Sequence, residues 1–328
     1  MLNGQFNSSL PIRDFSDFTG HYGASKIASS YCGLSKTRQV PGLWQHGPFL
    51  PNITSSQYIE INPGILTDGD LHNFARSFWH YFVASREIVF YLKSIDYKNV
   101  YAIGLPFIYV PEIEINEIED SLLIFPGHSS VNGPKRNFHS YENFIHQASK
   151  LFSNVGVCLH NNDFNQININ TFESFGVDMV FGGADEHDAN SLLRIKYLLG
   201  KFGTVVSDTF SSSVVYAAHL GKKIAISGPD VLQEKYMHDY FDDYNTHITS
   251  FQILADQELK HLRIHPSELK KARQHKVWAD DILGVENKLS PLEMKSLFNY
   301  NSLGYLNFFV NSWRMKLEKY KYDKFRFN

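Results

Sequence analysis

Serine residues at the end of an apolar run are the first candidates for chemistry in this chain. Asp208, Ser211, Ser212 and Ser213 are candidate binding residues, at the point where a predicted strand ends and a predicted helix begins. A helix N-terminus exposes free N–H groups and the positive end of the helix dipole, and both favour phosphate. Capping alone needs one serine or threonine, so we interpret this cluster as donors to a phosphate-bearing ligand. The alternative is ordinary helix capping.

Three further loops carry polar side chains directly after predicted strands. The first two have groups that could bind a phosphate, a base or a ribose, and the acids of the third could bind a sugar hydroxyl. The residues are His128, Ser129 and Ser130, then His160 and Asp163, then Asp185 and Glu186. His128 is also a candidate acid or base. The alternatives are polar loops with a capping serine, and acids of the segment 185–188 that stabilise the start of the following helix.

His46 is the first candidate for a general base, because the following Gly47 lets a substrate or another backbone approach closely. The alternative is a structural histidine. Asp68-Gly69-Asp70 has the form of a metal-binding pair, but its position before a helical pattern favours a turn or a helix cap. We therefore expect no metal site.

Several classes of protein are disfavoured by what the sequence lacks. It has no G-x-G-x-x-G after a strand, no phosphate-binding G-x-x-x-x-G-K-[ST], no G-x-S-x-G and no H-E-x-x-H. Two cysteines cannot form a disulfide scaffold. A net charge of -3 argues against a nucleic-acid partner. With no recognisable signal peptide and no membrane span, a cytoplasmic protein is the expectation.

Short apolar runs alternate with helix-length segments, which predicts an α/β fold with parallel strands buried on both faces. The runs in the C-terminal half are 122–125, 155–159, 178–181, 203–206 and 223–226. Less distinct apolar runs at 42–45, 81–84 and 100–103 predict further strands in the N-terminal half. The acidic segment 111–120 has few large apolar residues, and we expect it to link two domains.

The sequence resembles the GT-B glycosyltransferases of bacterial surface-polysaccharide synthesis, which make capsule and O-antigen. Most of the resemblance lies in residues 203–229, where the sequence is GTVVSDTFSSSVVYAAHLGKKIAISGP. His46-Gly47 looks like the His-Gly of capsule and teichoic-acid transferases, and Gly104-Leu105-Pro106 is similar to their interdomain segment.

The resemblance implies two Rossmann-like domains that face a cleft. Residues 1–117 would form the acceptor-side domain, residues 118–290 the nucleotide-sugar domain, and residues 291–328 a helical tail across the junction. Residues 312–328 hold six Lys or Arg against two acids. The alternative for this tail is therefore a peripheral contact with anionic lipid of the inner membrane.

The resemblance also implies a reaction. A CMP-, UDP- or GDP-linked sugar would pass to a glycan or lipid-linked acceptor, with His46 taking the acceptor proton. The serines 211–213 and His128 would stabilise the departing phosphate, with no metal or cofactor. The Glu-x6-Glu pattern of retaining enzymes is absent, which favours inversion. The alternatives are a sugar-nucleotide epimerase, a CDP-glycerol-type phosphotransferase and a non-catalytic glycan-binding protein.

Overall fold

A computed structural model describes residues 21–48, 80–127, 129, 137–177, 179–183, 185, 187–229 and 259–300. The strands in these residues are β1 (Gly42–Trp44), β2 (His80–Val83), β3 (Asn99–Ala102), β4 (Ile118–Phe125), β5 (Asn154–Leu159), β6 (Met179–Gly182), β7 (Phe202–Ser207), β8 (Lys223–Ile226) and β9 (Arg273–Gln274). The α-helices are α1 (Ala24–Tyr31), α2 (Arg86–Ser94), α3 (Tyr141–Leu151), α4 (Gln166–Ser174), α5 (Ser191–Lys201), α6 (Ser212–His219), α7 (Lys276–Leu283) and α8 (Pro291–Leu297).

The described strands form two sheets, and the predicted α/β class is confirmed. The first sheet has the parallel order β1-β2-β3, and the second has the order β6-β5-β4-β7-β8-β9. Only β9 runs antiparallel among these pairings. In the second sheet the chain moves outward from β4 to β6, returns to β7 beside β4, and moves outward again to β8. Doubly wound Rossmann sheets have this order, and they bind ligands where the order reverses, here between β4 and β7.

The central strand β4 shows why continuous apolar runs mark this sheet. Leu122, Leu123 and Ile124 are all at most 1% exposed. Leu123 belongs to one hydrophobic cluster, whereas its two neighbours belong to another on the opposite face of the sheet. Both faces of the strand are therefore covered, and an alternation of apolar and polar residues is not needed.

The predicted linker 111–120 is too long at its C-terminal end. Strand β4 begins at Ile118, so Ile118–Asp120 belongs to the second sheet. The acidic side chains of this stretch obscured the strand, because the first residues of a central strand can be exposed to solvent. Glu119 and Asp120 are both exposed. The domain limits themselves stay a prediction.

Two chain segments connect the sheets, and they are bonded to each other. Leu105 donates its N–H to the carbonyl of Leu283 at 2.9 Å, and Leu289 donates its N–H to the Tyr109 hydroxyl at 2.8 Å. Lys288 Nζ donates to the carbonyl of Ile108 at 2.7 Å. The chain after α7 thus returns to the first sheet, although residues 301–328 of the predicted tail lie outside the described residues.

The end of the described chain packs into the first sheet. Phe298 is 2% exposed, and its ring lies edge-on to Trp44 with the ring centroids 5.7 Å apart. Its ring centroid lies 4.8 Å from that of Phe82. Within the described residues, no helix is both long and apolar enough to pass through a bilayer.

Candidate functional site

The carboxyl ends of the parallel strands β4 to β8 lie at one edge of the second sheet, and most predicted site residues follow those ends. Ser129 follows β4, His160 and Asp163 follow β5, and Asp185 follows β6. Asp208 and the serines 211–213 follow β7. His128, Ser130 and Glu186 lie outside the described residues, as do Asp68 and Asp70. No group of three or more His, Cys, Asp or Glu side chains in the described ranges could hold a metal ion.

Helix α6 begins at this edge with the predicted serine cluster. Ser211 is the N-cap residue with extended backbone (φ -135°, ψ 155°), but its side chain makes no capping bond. Its Oγ is buried and has no hydrogen-bond partner among the residues that the structure describes. Capping, the alternative explanation for this serine, is therefore not what its side chain does.

The loop after β1 lies against the first turn of α6. Tyr216 donates its hydroxyl to the carbonyl of His46 at 3.2 Å. A Cβ added to Gly47 would come within 4.0 Å of Ser212 Oγ. The fold thus brings His46 and Ser212, which are predicted from distant parts of the sequence, to the same place between the two sheets.

Gln45 holds the His46 loop in place. It is 1% exposed, its Oε1 accepts the N–H of Ala84 at 3.0 Å, and its Nε2 donates to the carbonyl of Gly47 at 2.8 Å. The ring of Tyr22 lies 5.8 Å from the His46 ring, between centroids. His46 therefore lies in a loop that the Gln45 side chain fixes through hydrogen bonds to Ala84 and to Gly47.

Tyr216 is a site residue that the sequence analysis missed. It is 4% exposed and its ring stacks on Phe107, with centroids 3.9 Å apart and planes 5° apart. Burial raises its pKa, and a hydrogen bond with the Ser212 side chain opposes that rise. It therefore stays a neutral hydroxyl that can donate to His46. The sequence feature that could have identified Tyr216 is its spacing of four residues from Ser212, which places the two side chains on one side of a helix.

Two predicted binding carboxylates are bonded to the loop after β4. Asp208 Oδ1 accepts the N–H of Gly127 at 2.8 Å, and its Oδ2 accepts the hydroxyl of Tyr141 at 2.5 Å. Asp163 Oδ2 accepts the N–H of Ser129 at 2.8 Å. Asp208 and Asp163 are 7% and 5% exposed, so both carboxylates serve to hold this loop.

The acids after β6 do not start a helix, and that expectation was wrong. Helix α5 begins at Ser191 and has no acidic residue in its first turn. Asp185 Oδ1 instead accepts the N–H of His187 at 3.0 Å, and Asp188 Oδ1 accepts the N–H of Asn190 at 2.9 Å. A short aspartate side chain bonds the backbone two residues ahead more readily than it enters a helix.

His160 makes a bond of the same local kind. Its Nδ1 accepts the N–H of Asn162 at 3.2 Å and begins the short helical turn Asn161–Asp163. Ligand binding by His160 or Asp185 stays a prediction.

No family model matches this sequence, and no curated protein sequence matches it either. Among solved structures, the chain is similar to a mutant of S. aureus TarM in complex with fondaparinux, α-GlcNAc-glycerol and UDP, with 13% identity and a TM-score of 0.29. The match covers 82% of this chain and 49% of TarM, so the chain spans about half the length of that protein.

Two further solved structures resemble the chain at similar levels. Medicago truncatula UGT71G1, complexed with UDP-glucose, has 13% identity and a TM-score of 0.35, covering 85% of this chain and 68% of its own. The UDP-GlcNAc 2-epimerase of Neisseria meningitidis, bound to UDP-GlcNAc, has 12% identity and a TM-score of 0.32, covering 87% and 81%. The α/β assignment rests on the strand order described above.

Proposed function

We propose that this chain binds a nucleotide sugar between its two sheets and transfers the sugar to a hydroxyl of a glycan or lipid-linked acceptor. The observation that carries the proposal is that Tyr216 of α6 donates its hydroxyl to the carbonyl of His46, while Gly47 lies beside Ser212 at the start of the same helix. A candidate base and a candidate phosphate site from different parts of the chain are thereby adjacent. Nucleotide-binding sheets of this strand order hold their ligand at the same edge.

The proposed reaction follows from those two groups. The acceptor oxygen attacks the anomeric carbon while the His46 imidazole takes the acceptor proton. The bond from that carbon to the phosphate oxygen breaks, and its electron pair leaves with the nucleotide. The serine hydroxyls and the N-terminus of α6 stabilise the negative charge of the departing phosphate. A single displacement inverts the anomeric configuration, and surface-polysaccharide synthesis is the setting that we propose for it.

Nucleotide binding is the first test. We expect UDP, CMP or GDP to raise the melting temperature of the full chain, because a ligand of the folded state stabilises it. Ser212→Ala with Ser213→Ala should weaken the binding of that nucleotide about tenfold or more by calorimetry. Unchanged affinity in this double variant would contradict the phosphate assignment.

Turnover of the matching nucleotide sugar with an acceptor is the second part of the test. His46→Ala should lower turnover about a hundredfold or more with little change in donor affinity, as loss of a general base does. His146→Ala is the matched control, since His146 is an exposed histidine in the middle of α3. If the donor sugar is converted without any acceptor, the protein is an epimerase. Full turnover in His46→Ala would make His46 structural.

A further inference from the structure

The side chain of Tyr216 bonds the proposed phosphate-binding helix to the loop that carries His46. Tyr216 lies on α6, one turn after Ser212, and its hydroxyl donates to the carbonyl of His46 at 3.2 Å. That carbonyl belongs to the loop after β1 of the first sheet, whereas α6 follows β7 of the second sheet. One side chain therefore links the proposed phosphate site to the proposed base.

The ring of Tyr216 is fixed independently of its hydroxyl. It stacks on the ring of Phe107, with the centroids 3.9 Å apart and the planes 5° apart, and both rings are buried. Phe107 lies in the helical turn Pro106–Tyr109 that follows β3, so this contact also joins α6 to the first sheet. Because a close-packed interior leaves such a ring little room to turn, the hydroxyl is held at one position beside the His46 loop.

The direction of the hydrogen bonds around Tyr216 follows from the number of protons available. A tyrosine hydroxyl carries one proton and a carbonyl can only accept, so that proton is directed to His46. The Ser212 side chain also bonds Tyr216, and Ser212 therefore donates its own proton to the tyrosine oxygen. A chain of hydrogen bonds thus runs from Ser212 through Tyr216 to the main chain of His46, and the bonds of such a chain strengthen one another.

We infer that Tyr216 is a positioning residue, which fixes His46 relative to the phosphate site at the start of α6. This inference rests on the proposed function, because it assigns Tyr216 a role in that reaction. A general base acts only within hydrogen-bond reach of the acceptor hydroxyl, while the leaving group stays at its own site. The ring of Tyr22 lies beside the His46 ring, whereas Tyr216 holds the main chain to which that ring is attached.

Tyr216→Phe tests this role, because it keeps the ring on Phe107 and removes the hydroxyl that bonds His46. We expect turnover to fall about tenfold or more, since a small displacement of a catalytic group has an effect of this size. The affinity for whichever of UDP, CMP and GDP stabilises the chain should stay the same or rise, because the Ser212 proton becomes available to a phosphate oxygen. A purely structural loss would lower turnover and affinity together.

A double-variant cycle separates positioning from a general effect on the fold. In a His46→Ala background, Tyr216→Phe should leave turnover unchanged, because no imidazole remains to be positioned. Tyr31→Phe is the control, since it likewise removes a tyrosine hydroxyl that donates to a main-chain carbonyl, that of Leu289 at 2.7 Å. Tyr31→Phe should leave turnover at the wild-type level.

The surroundings of His46 are also measured without any ligand or turnover. The ring-proton NMR signal of His46 in the full chain is assigned by its loss in His46→Ala. Tyr216→Phe should shift or broaden this signal, and Tyr31→Phe should not. If Tyr216→Phe fails to fold by circular dichroism, Ser212→Ala replaces it in this measurement, because it removes the other end of the hydrogen-bond chain. Ser213→Ala, which leaves that chain in place, is then the control.

Three results would overturn the inference. The first is a His46 signal that is the same in Tyr216→Phe, or in Ser212→Ala where that variant replaces it, as in wild type. The second is turnover in Tyr216→Phe that equals wild type or falls together with nucleotide affinity. The third is an equal loss of turnover with and without the His46 imidazole. Failure of the proposed function has a different signature, in which none of the three nucleotides binds or His46→Ala keeps full turnover, while the His46 signal still responds to Tyr216→Phe.

Discussion

At the scale of single residues, several polar groups of the candidate site make hydrogen bonds other than those expected from their positions in the chain. Ser211 stands at a helix N-cap without capping, whereas Asp208 and Asp163 stand where ligand contacts are expected and instead bond the main chain. Tyr216 extends from a buried helix face to the carbonyl of His46. The role of each residue therefore follows from its hydrogen-bond partner and not from its residue type.

Ser211 offers a direct test of this distinction. Because its hydroxyl is buried and no described residue bonds it, Ser211→Ala should leave the free energy of unfolding within about 0.3 kcal/mol of wild type, or raise it. Ser290 is the matched control, since its hydroxyl accepts the N–H of Glu293 in a capping box at the start of α8. Ser290→Ala should cost about 1 kcal/mol. Urea unfolding followed by circular dichroism measures both, and equal costs would show that Ser211 caps its helix after all.

At the scale of elements, the relation between the sheets depends on two connecting segments that approach each other very closely. A Cβ at Gly104 would lie 2.9 Å from the carbonyl oxygen of Gly284, and a Cβ at Gly284 would lie 2.0 Å from that of Ala84. Gly284 also has φ 68°, a region that favours glycine. These two residues let three backbone segments meet at one point between the sheets.

Gly284→Ala should therefore lower the free energy of unfolding by more than the strain of its backbone angles alone would. Gly33 is a matched control, because it has φ 67° and no atom of the described residues lies within 4 Å of a Cβ placed there. We expect Gly33→Ala to cost about 1 kcal/mol, the usual penalty for alanine in this region. Gly284→Ala should exceed it by about 3 kcal/mol or more, because a carbonyl of the first sheet must move. Thermal or urea unfolding compares the stabilities of the two variants. A similar loss of stability in both would mean that the connecting segments can separate at little cost.

At the scale of the whole molecule, one hydrophobic cluster runs through both sheets. It contains Tyr81 and Phe82 of the first sheet together with Leu123 and Val205 of the second. Tyr216 of α6 belongs to the same cluster, so the candidate site lies at the margin of the shared core. The stability of the core and the geometry of the site are thus coupled.

Stability should rise with pH between 5 and 7. Burial lowers the pKa of His80, His219 and His275 below the ordinary value of 6.5, and the bond with Asp280 opposes the change at His219. The unfolded chain therefore takes up protons below pH 6.5 that the folded chain does not, and the free energy of unfolding falls as pH drops through that value.

Urea unfolding at pH 7 and at pH 5 measures how much the free energy of unfolding changes between these two pH values. His80→Phe should reduce this pH dependence, because the buried Nδ1 of His80 has no hydrogen-bond partner within the described ranges of the chain to favour its protonated form. An unfolding free energy that is the same at both pH values, or a His80→Phe variant with a larger difference than wild type, would contradict the assignment.

Much of the fold could be predicted from local patterns. The run Leu122 to Phe125 marks β4, the run from 223 to 226 coincides with β8, and the serine-rich segment starts α6 one residue after Ser211. The errors came where an acidic stretch has two physical explanations. Asp185 and Asp188 make turns instead of starting α5, and Ile118–Asp120 extends β4 instead of the linker.

The sequence by itself determined most strands of the two sheets, because burial on both faces demands an unbroken apolar run and leaves polar residues for the strand ends. It also placed the serines and Asp208 at a strand end. Only the tertiary structure decided what those groups bond. Tyr216 reaches a carbonyl 170 residues away and Asp208 an N–H 81 residues away, and such partners follow from the order of strands in the sheet, which spacing along the chain does not encode.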